Sequence, residues 1–146
     1  MQQTQIKIVG VVGAGQMGQG IAQVLATKGY QVKLMDQNEE ILRRARTGIE
    51  KSVEKLHSKE KITAQEKTNA TKLLTHTSDL QRLKDVDFVV EAVSEDEDLK
   101  AQVFRQLHEI VAPHTVLATN TSSLSITRLG EKSLRPEQFI GVHFMN

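Results

Sequence analysis

A short apolar run that breaks on glycine fixes the first architectural choice open to this chain. Residues 6–12 are apolar and rich in β-branched side chains, as in a strand buried on both faces. Gly13-Ala14-Gly15-Gln16-Met17-Gly18 follows at once, a G-x-G-x-x-G pattern. Over residues 16–28 the apolar positions Met17, Ile21, Val24 and Leu25 keep a helical spacing, and Gly29 closes the segment. Residues 31–35 read as a second strand that stops at Asp36. Strand, glycine turn, helix and strand within about 30 residues make one βαβ unit, so the two strands lie parallel.

The remaining sequence repeats the alternation. From Glu39 a long charged helix carries a stripe of Ile41, Leu42, Ala45, Ile49, Val53 and Leu56. Residues 63–74 predict a further helix, 74–77 a brief strand, 80–83 a helical turn and 88–92 a strand. Residues 99–111 predict a helix with Val103, Phe104, Leu107 and Val111 on one side. Pro113 punctuates before a strand at 115–119; 124–129 is helix-like, and 139–144 is a last apolar strand after Pro136. The pattern predicts an α/β fold, a doubly wound, mostly parallel sheet of the Rossmann type with helices on both faces. At 146 residues the expectation is a single domain. The halt at Asn146, directly after an apolar strand, reads as a cut through a longer protein.

Composition narrows the partners. Nineteen basic against 18 acidic residues leave a net charge of +1, so no overall field points to nucleic acid or an anionic membrane. One Tyr, four Phe and no Trp leave little for base stacking. The absence of cysteine removes disulfides, thiolate metal sites and cysteine nucleophiles, and no metal site is expected. No apolar stretch approaches the ~20 residues that span a bilayer. The first five residues show neither a signal-peptide core nor an Arg-rich transit pattern. A soluble, cytoplasmic protein is expected.

Placed between a strand and a helix, the three glycines suit a dinucleotide. The first permits the tight turn, the second lets a pyrophosphate approach the backbone, and the third lets helix and strand pack closely. The helix N-terminus offers unpaired amides and a positive dipole end to the phosphates. Asp36, 18 residues beyond Gly18, stands where a carboxylate accepts the ribose hydroxyls and repels a 2′-phosphate. Gln37 and Asn38 follow with no Arg, so NAD is expected over NADP. The lack of Gly-Lys-[Ser/Thr] excludes a P-loop.

Polar residues also gather after the later strands. His143 ends the last apolar strand, at the edge where α/β proteins bind ligands. A hydrogen-bonded core histidine between Val142 and Phe144 is the other reading of that position. His57 and His108 fall in helices, His76 and His114 in loops. Asn120-Thr121-Ser122-Ser123 follows the strand at 115–119 and reads equally as a polar turn that caps a helix. Glu91, Glu95 and Asp96-Glu97-Asp98 follow the strand at 88–92, most of them as a solvated helix start.

Segments 11–22, 90–95, 120–124 and 141–146 together resemble the L-3-hydroxyacyl-CoA dehydrogenase family, in particular its single-function 3-hydroxybutyryl-CoA dehydrogenases. The resemblance runs through essentially the whole chain, in order and at matching spacing. It implies NAD as cofactor and the interconversion of (S)-3-hydroxyacyl-CoA and 3-ketoacyl-CoA, an oxidoreductase step of fatty-acid β-oxidation and butanoate metabolism. It implies His143 as the acid/base, Ser122 and Asn120 at the substrate oxygen, and Ser122 also beside the cofactor. Glu95 and Lys100 are implied at the nicotinamide half of NAD, and Ser52 and Lys59 near the CoA phosphates. For the last two, plain helix surface is the other reading.

The family continues past the position of Asn146 with a proline, a glutamate that orients the histidine, and a helical domain that forms a homodimer. Residues 1–146 thus resemble the NAD-binding domain, expected to hold NAD without turnover by itself. Two rival readings remain: another Rossmann dehydrogenase, acting on a sugar acid or amino acid, and a non-catalytic relative of the family. The first has no reason for Asn-Thr-Ser-Ser followed by Gly-Val-His-Phe.

Overall fold

The computed structural model describes residues 5–144. Six strands, β1 (Ile8–Val12), β2 (Gln31–Met35), β3 (Leu74–Thr77), β4 (Phe88–Glu91), β5 (Val116–Thr119) and β6 (Phe139–Gly141), form one sheet. Their order is β3-β2-β1-β4-β5-β6, and every neighbouring pair is parallel. Parallel neighbours need crossover connections. Helices α1 (Gln16–Thr27), α2 (Glu39–Ser58), α3 (Ala64–Lys72), α4 (Glu97–Ile110) and α5 (Ile126–Lys132) lie in them. The strand order reverses between β1 and β4, which places the ligand crevice at the C-terminal ends of those strands.

The two-residue period of each strand sorts its side chains between two cores. Val9, Val11, Val32, Leu34 and Val90 pack with α1, α2 and α3. Val12, Val89, Leu117 and Phe139 pack with Phe104, Leu107 and Leu129 from α4 and α5. Phe104 meets Phe139 edge-on at 4.8 Å and 79°, a geometry worth about 0.5–1.5 kcal/mol beyond the area it buries. Among the described residues no helix is long and apolar enough to cross a membrane.

Local polar bonds move the element ends away from the hydrophobic pattern. The Asp87 carboxylate takes the amides of Lys7 and Ile8 at 2.9 and 3.0 Å, and β1 opens only at Ile8. Asp96 accepts from the Leu99 amide at 3.1 Å, so α4 starts at Glu97, ahead of its apolar stripe. A capping box between Thr63 and Glu66 opens α3, which ends at Lys72 and leaves Leu74 to β3. Ser125 caps α5, delaying its start to Ile126. His76 lies within β3 rather than in a loop. The last strand also corrects the sequence reading: it ends at Gly141, the Val142 amide makes the final bond to the Thr119 carbonyl at 2.9 Å, and His143 follows beyond it. Met145 and Asn146, which complete the last motif, lie outside the described residues.

Candidate functional site

The glycine turn leaves β1 through a conformation that side chains avoid. Gly13 has φ 105°, and a Cβ there would stand 2.6 Å from the Ala92 carbonyl oxygen. A Cβ on Gly18 would overlap the Gly13 carbonyl, so helix and strand touch through backbone alone. Gly15 is the reverse case. Nothing lies within 4 Å of where its Cβ would go, and the bare backbone faces open space. Gly15 also begins α1 with no side-chain cap and no acid in the first turn. An unneutralised helix N-terminus beside a bare backbone suits a pyrophosphate.

Asp36 faces this turn from the end of β2. One carboxylate oxygen accepts the Ala14 amide at 2.9 Å and the other the Asn38 amide at 2.9 Å. A carboxylate has about four acceptor sites, so capacity remains for ribose hydroxyls. A cleft of about 360 Å³ runs from Gly13, Gly15 and Asp36 to the apolar walls of Ile41, Leu99 and Val103. Of the other loop residues, Ala14 is buried and Gln16 exposed, while Met17 packs against the α1–α3 core. The residues present fit an adenosine diphosphate: backbone amides for phosphate, a fixed acceptor for ribose, apolar walls for a ring.

Across the crevice, the polar residues ending β4 and β5 are bonded to one another. Glu91, within the strand expected at 88–92, is fully buried at the end of β4. One of its oxygens accepts from Lys100 Nζ at 2.5 Å and from the Val93 amide at 2.7 Å. The other accepts from Thr119 Oγ1 at 2.7 Å. Lys100, 1% exposed, also donates to the Val93 carbonyl at 3.0 Å and pairs with Glu95 at 3.1 Å. Three acceptors thus match the three protons of the ammonium. Lys100, expected at the nicotinamide half of NAD, thus stands in this structure bonded to Glu91, Glu95 and the Val93 carbonyl.

Glu95 carries the network outward. Its Oε2 accepts from the hydroxyls of Thr121 and Ser123, both at 2.7 Å, and from the amides of Ser122 and Ser123, both at 3.3 Å. Burial pushes this carboxyl up. The hydrogen bonds from Ser123, Thr121 and Lys100, with the Lys100 charge, outweigh it and hold Glu95 at about 2. Asp96 caps α4, and Glu97 pairs with Lys132 and Arg128, as a helix start would.

Ser122 is exposed on the loop after β5. Asn120 Oδ1 accepts the Phe144 amide at 3.3 Å, which ties the end of β5 to the segment bearing His143. His143 itself is exposed, which rules out the core-histidine reading. Ser52 and Lys59 are not brought to this edge. Thirteen and twenty positions along from Glu39, they lie about 20 and 30 Å down the α2 axis. Ser52 accepts from Gln23 of α1 at 2.9 Å, and Lys59 is exposed at the far end.

Strand order and glycine turn together define a doubly wound dinucleotide-binding domain. Residues 8–146 match the family described as 3-hydroxyacyl-CoA dehydrogenase, NAD binding domain, and the chain belongs to that family. Its cofactor is NAD. It is 51% identical to a probable 3-hydroxybutyryl-CoA dehydrogenase of Deinococcus radiodurans, over 94% of this chain and 49% of that protein. It is 40% identical to the mitochondrial hydroxyacyl-coenzyme A dehydrogenase of Rattus norvegicus, over 97% and 47% respectively. The crystal structure of an (S)-3-hydroxybutyryl-CoA dehydrogenase from Ralstonia eutropha superposes with a TM-score of 0.92 at 38% identity, covering 97% of this chain and 50% of that one. The chain spans about half the length of the curated relatives it matches.

Proposed function

We propose that this chain is the cofactor half of an NAD-dependent (S)-3-hydroxyacyl-CoA dehydrogenase of the short-chain, 3-hydroxybutyryl-CoA type, with His143 as its acid/base. One observation carries the reading: a single sheet edge gathers the glycine turn and Asp36, the Ser122 loop and the His143 segment. NAD, when bound, supplies the hydride acceptor. His143 takes the proton of the substrate 3-hydroxyl, and returns it in the direction of 3-ketoacyl reduction. Ser122 offers its hydroxyl to the same oxygen. Asn120 acts through the backbone that carries His143, a positioning contribution. The CoA phosphates would reach Ser52 or Lys59 only by running along α2; Lys59 is the better placed, being exposed.

By themselves the 146 residues hold NAD(H) without turnover, because an exposed imidazole lacks the fixed, water-excluded surroundings that catalysis needs. The test is to titrate the chain with NADH by fluorescence while assaying it with acetoacetyl-CoA. Saturable binding without turnover is expected. Absence of saturable binding overturns the cofactor reading, and turnover of roughly 1–1,000 per second overturns the claim of inactivity. Asp36→Ala should weaken NAD binding and relax discrimination against NADP; an unchanged affinity ratio removes Asp36 from that role.

A further inference from the structure

We propose that Glu91 is a positioning residue for the nicotinamide side of the crevice, setting the place of the 121–123 loop without touching a ligand. The inference rests on the NAD-binding reading above. If Glu91 served only to neutralise Lys100, one carboxylate would suffice, and Glu95 already stands 3.1 Å from that ammonium. Glu91 instead holds four parts of the fold at once. It takes the Val93 amide in the loop after β4, the Thr119 hydroxyl at the end of β5, and Lys100 in the first turn of α4, while itself ending β4.

From Lys100 the connection passes to Glu95, and from Glu95 to the hydroxyls and amides of residues 121–123. Glu91, Lys100, Thr119 and Thr121 are buried, whereas Glu95, Ser122 and Ser123 reach the surface. Two carboxylates against one ammonium leave a net charge of −1 in the network, a costly way to fill space that apolar side chains fill as well or better. What the network does, and apolar packing cannot, is fix a polar loop in one orientation at the edge opposite the glycine turn.

The test uses the 146-residue chain, wild type and Glu91→Gln, with two ligands. ADP-ribose carries both riboses and the pyrophosphate but no nicotinamide; NADH carries all of them and reports its ring by fluorescence. Wild type should bind NADH more tightly than ADP-ribose. Glu91→Gln should leave the ADP-ribose Kd within about two-fold and weaken NADH about five-fold or more, on the order of one lost hydrogen bond. The fluorescence enhancement of bound NADH should fall with it. Equal weakening of both ligands, or no change for NADH, overturns the proposal, as does a wild type that binds the two alike. A wild type that binds neither ligand overturns the NAD reading itself, a separate failure. Where circular dichroism shows Glu91→Gln unfolded, Thr119→Val decides by the same comparison, with an expected NADH loss of about two- to three-fold.

Discussion

Lys100 and Arg135 are both buried cations on the same half of the sheet, one at the C-terminal edge of β4 and β5, the other beside their N-terminal edge. Lys100 is paired with Glu91 and Glu95. Arg135 is 8% exposed and makes no salt bridge among the described residues. Its Nε donates to His108 Nδ1 at 3.0 Å, and its Nη atoms to the carbonyls of Ala112, Thr115 and His108 at 3.0, 2.8 and 3.3 Å. Burial without a counter-charge holds this guanidinium below its usual pKa. The last carbonyls of a helix need donors, and a planar fork of five N–H groups satisfies several at once. The structural edge therefore uses a cation as a hydrogen-bond donor. The ligand edge uses one as a charge, and needs carboxylates that also orient a loop.

Lys100→Met should be the most damaging change, because two carboxylates lose their counter-ion: about 3–5 kcal/mol from urea unfolding, with weaker NADH binding. Arg135→Met removes the guanidinium donors of the Thr115 and His108 carbonyls and of the His108 ring, partly rescued by water, and should cost about 2–3 kcal/mol. Its NADH Kd should stay at the wild-type value in a fluorescence titration; a weakened Kd would erase the distinction between the edges. Ser125→Ala removes the α5 cap for about 1 kcal/mol of stability and should also spare NADH. A loss of NADH affinity there would mean that α5, not Glu95, places the 121–123 loop.

The smallest expected effect is on acid unfolding. Glu95 has a folded pKa of about 2 against an ordinary 4.5. Its contribution is therefore complete above pH 4.5 and is lost as pH falls towards 2. Glu95→Gln should flatten the stability curve within that window, whereas Arg135→Met should leave its slope unchanged. The side chain is partly exposed, so solvent screening keeps the effect modest.

The glycine turn, Asp36 and all six strands were readable from sequence because their signals are local: a β-branched run, a glycine spacing, a carboxylate at a strand end. The two buried cations were not. Lys100 lies four residues before Phe104, on the stripe that continues to Leu107, and a lysine at a core-facing position was the available clue. Its partner Glu91 follows three apolar residues within β4, and nothing in that run distinguishes a solvated carboxylate from a buried one. Arg135 bonds to residues 20 to 27 positions away, beyond the reach of any local pattern. The same limit applies to His143, whose strand ends early at Gly141 although the apolar pattern runs on.

The two separate cores on one continuous sheet bear on cooperativity. β6 is a three-residue edge strand beside the exposed Ile126 and Ile140, so this margin should exchange its amide protons before β1 and β4 do. Bound as proposed above, a dinucleotide across the β1–β4 seam would touch the glycine turn on one side and the 121–123 loop on the other, and so would act as a cross-tie between the two cores. Occupancy stabilises the folded state by RT ln(1 + [L]/Kd). That increment should be distributed unevenly, slowing exchange more in the 121–123 loop, beside the proposed ligand, than at the β6 margin.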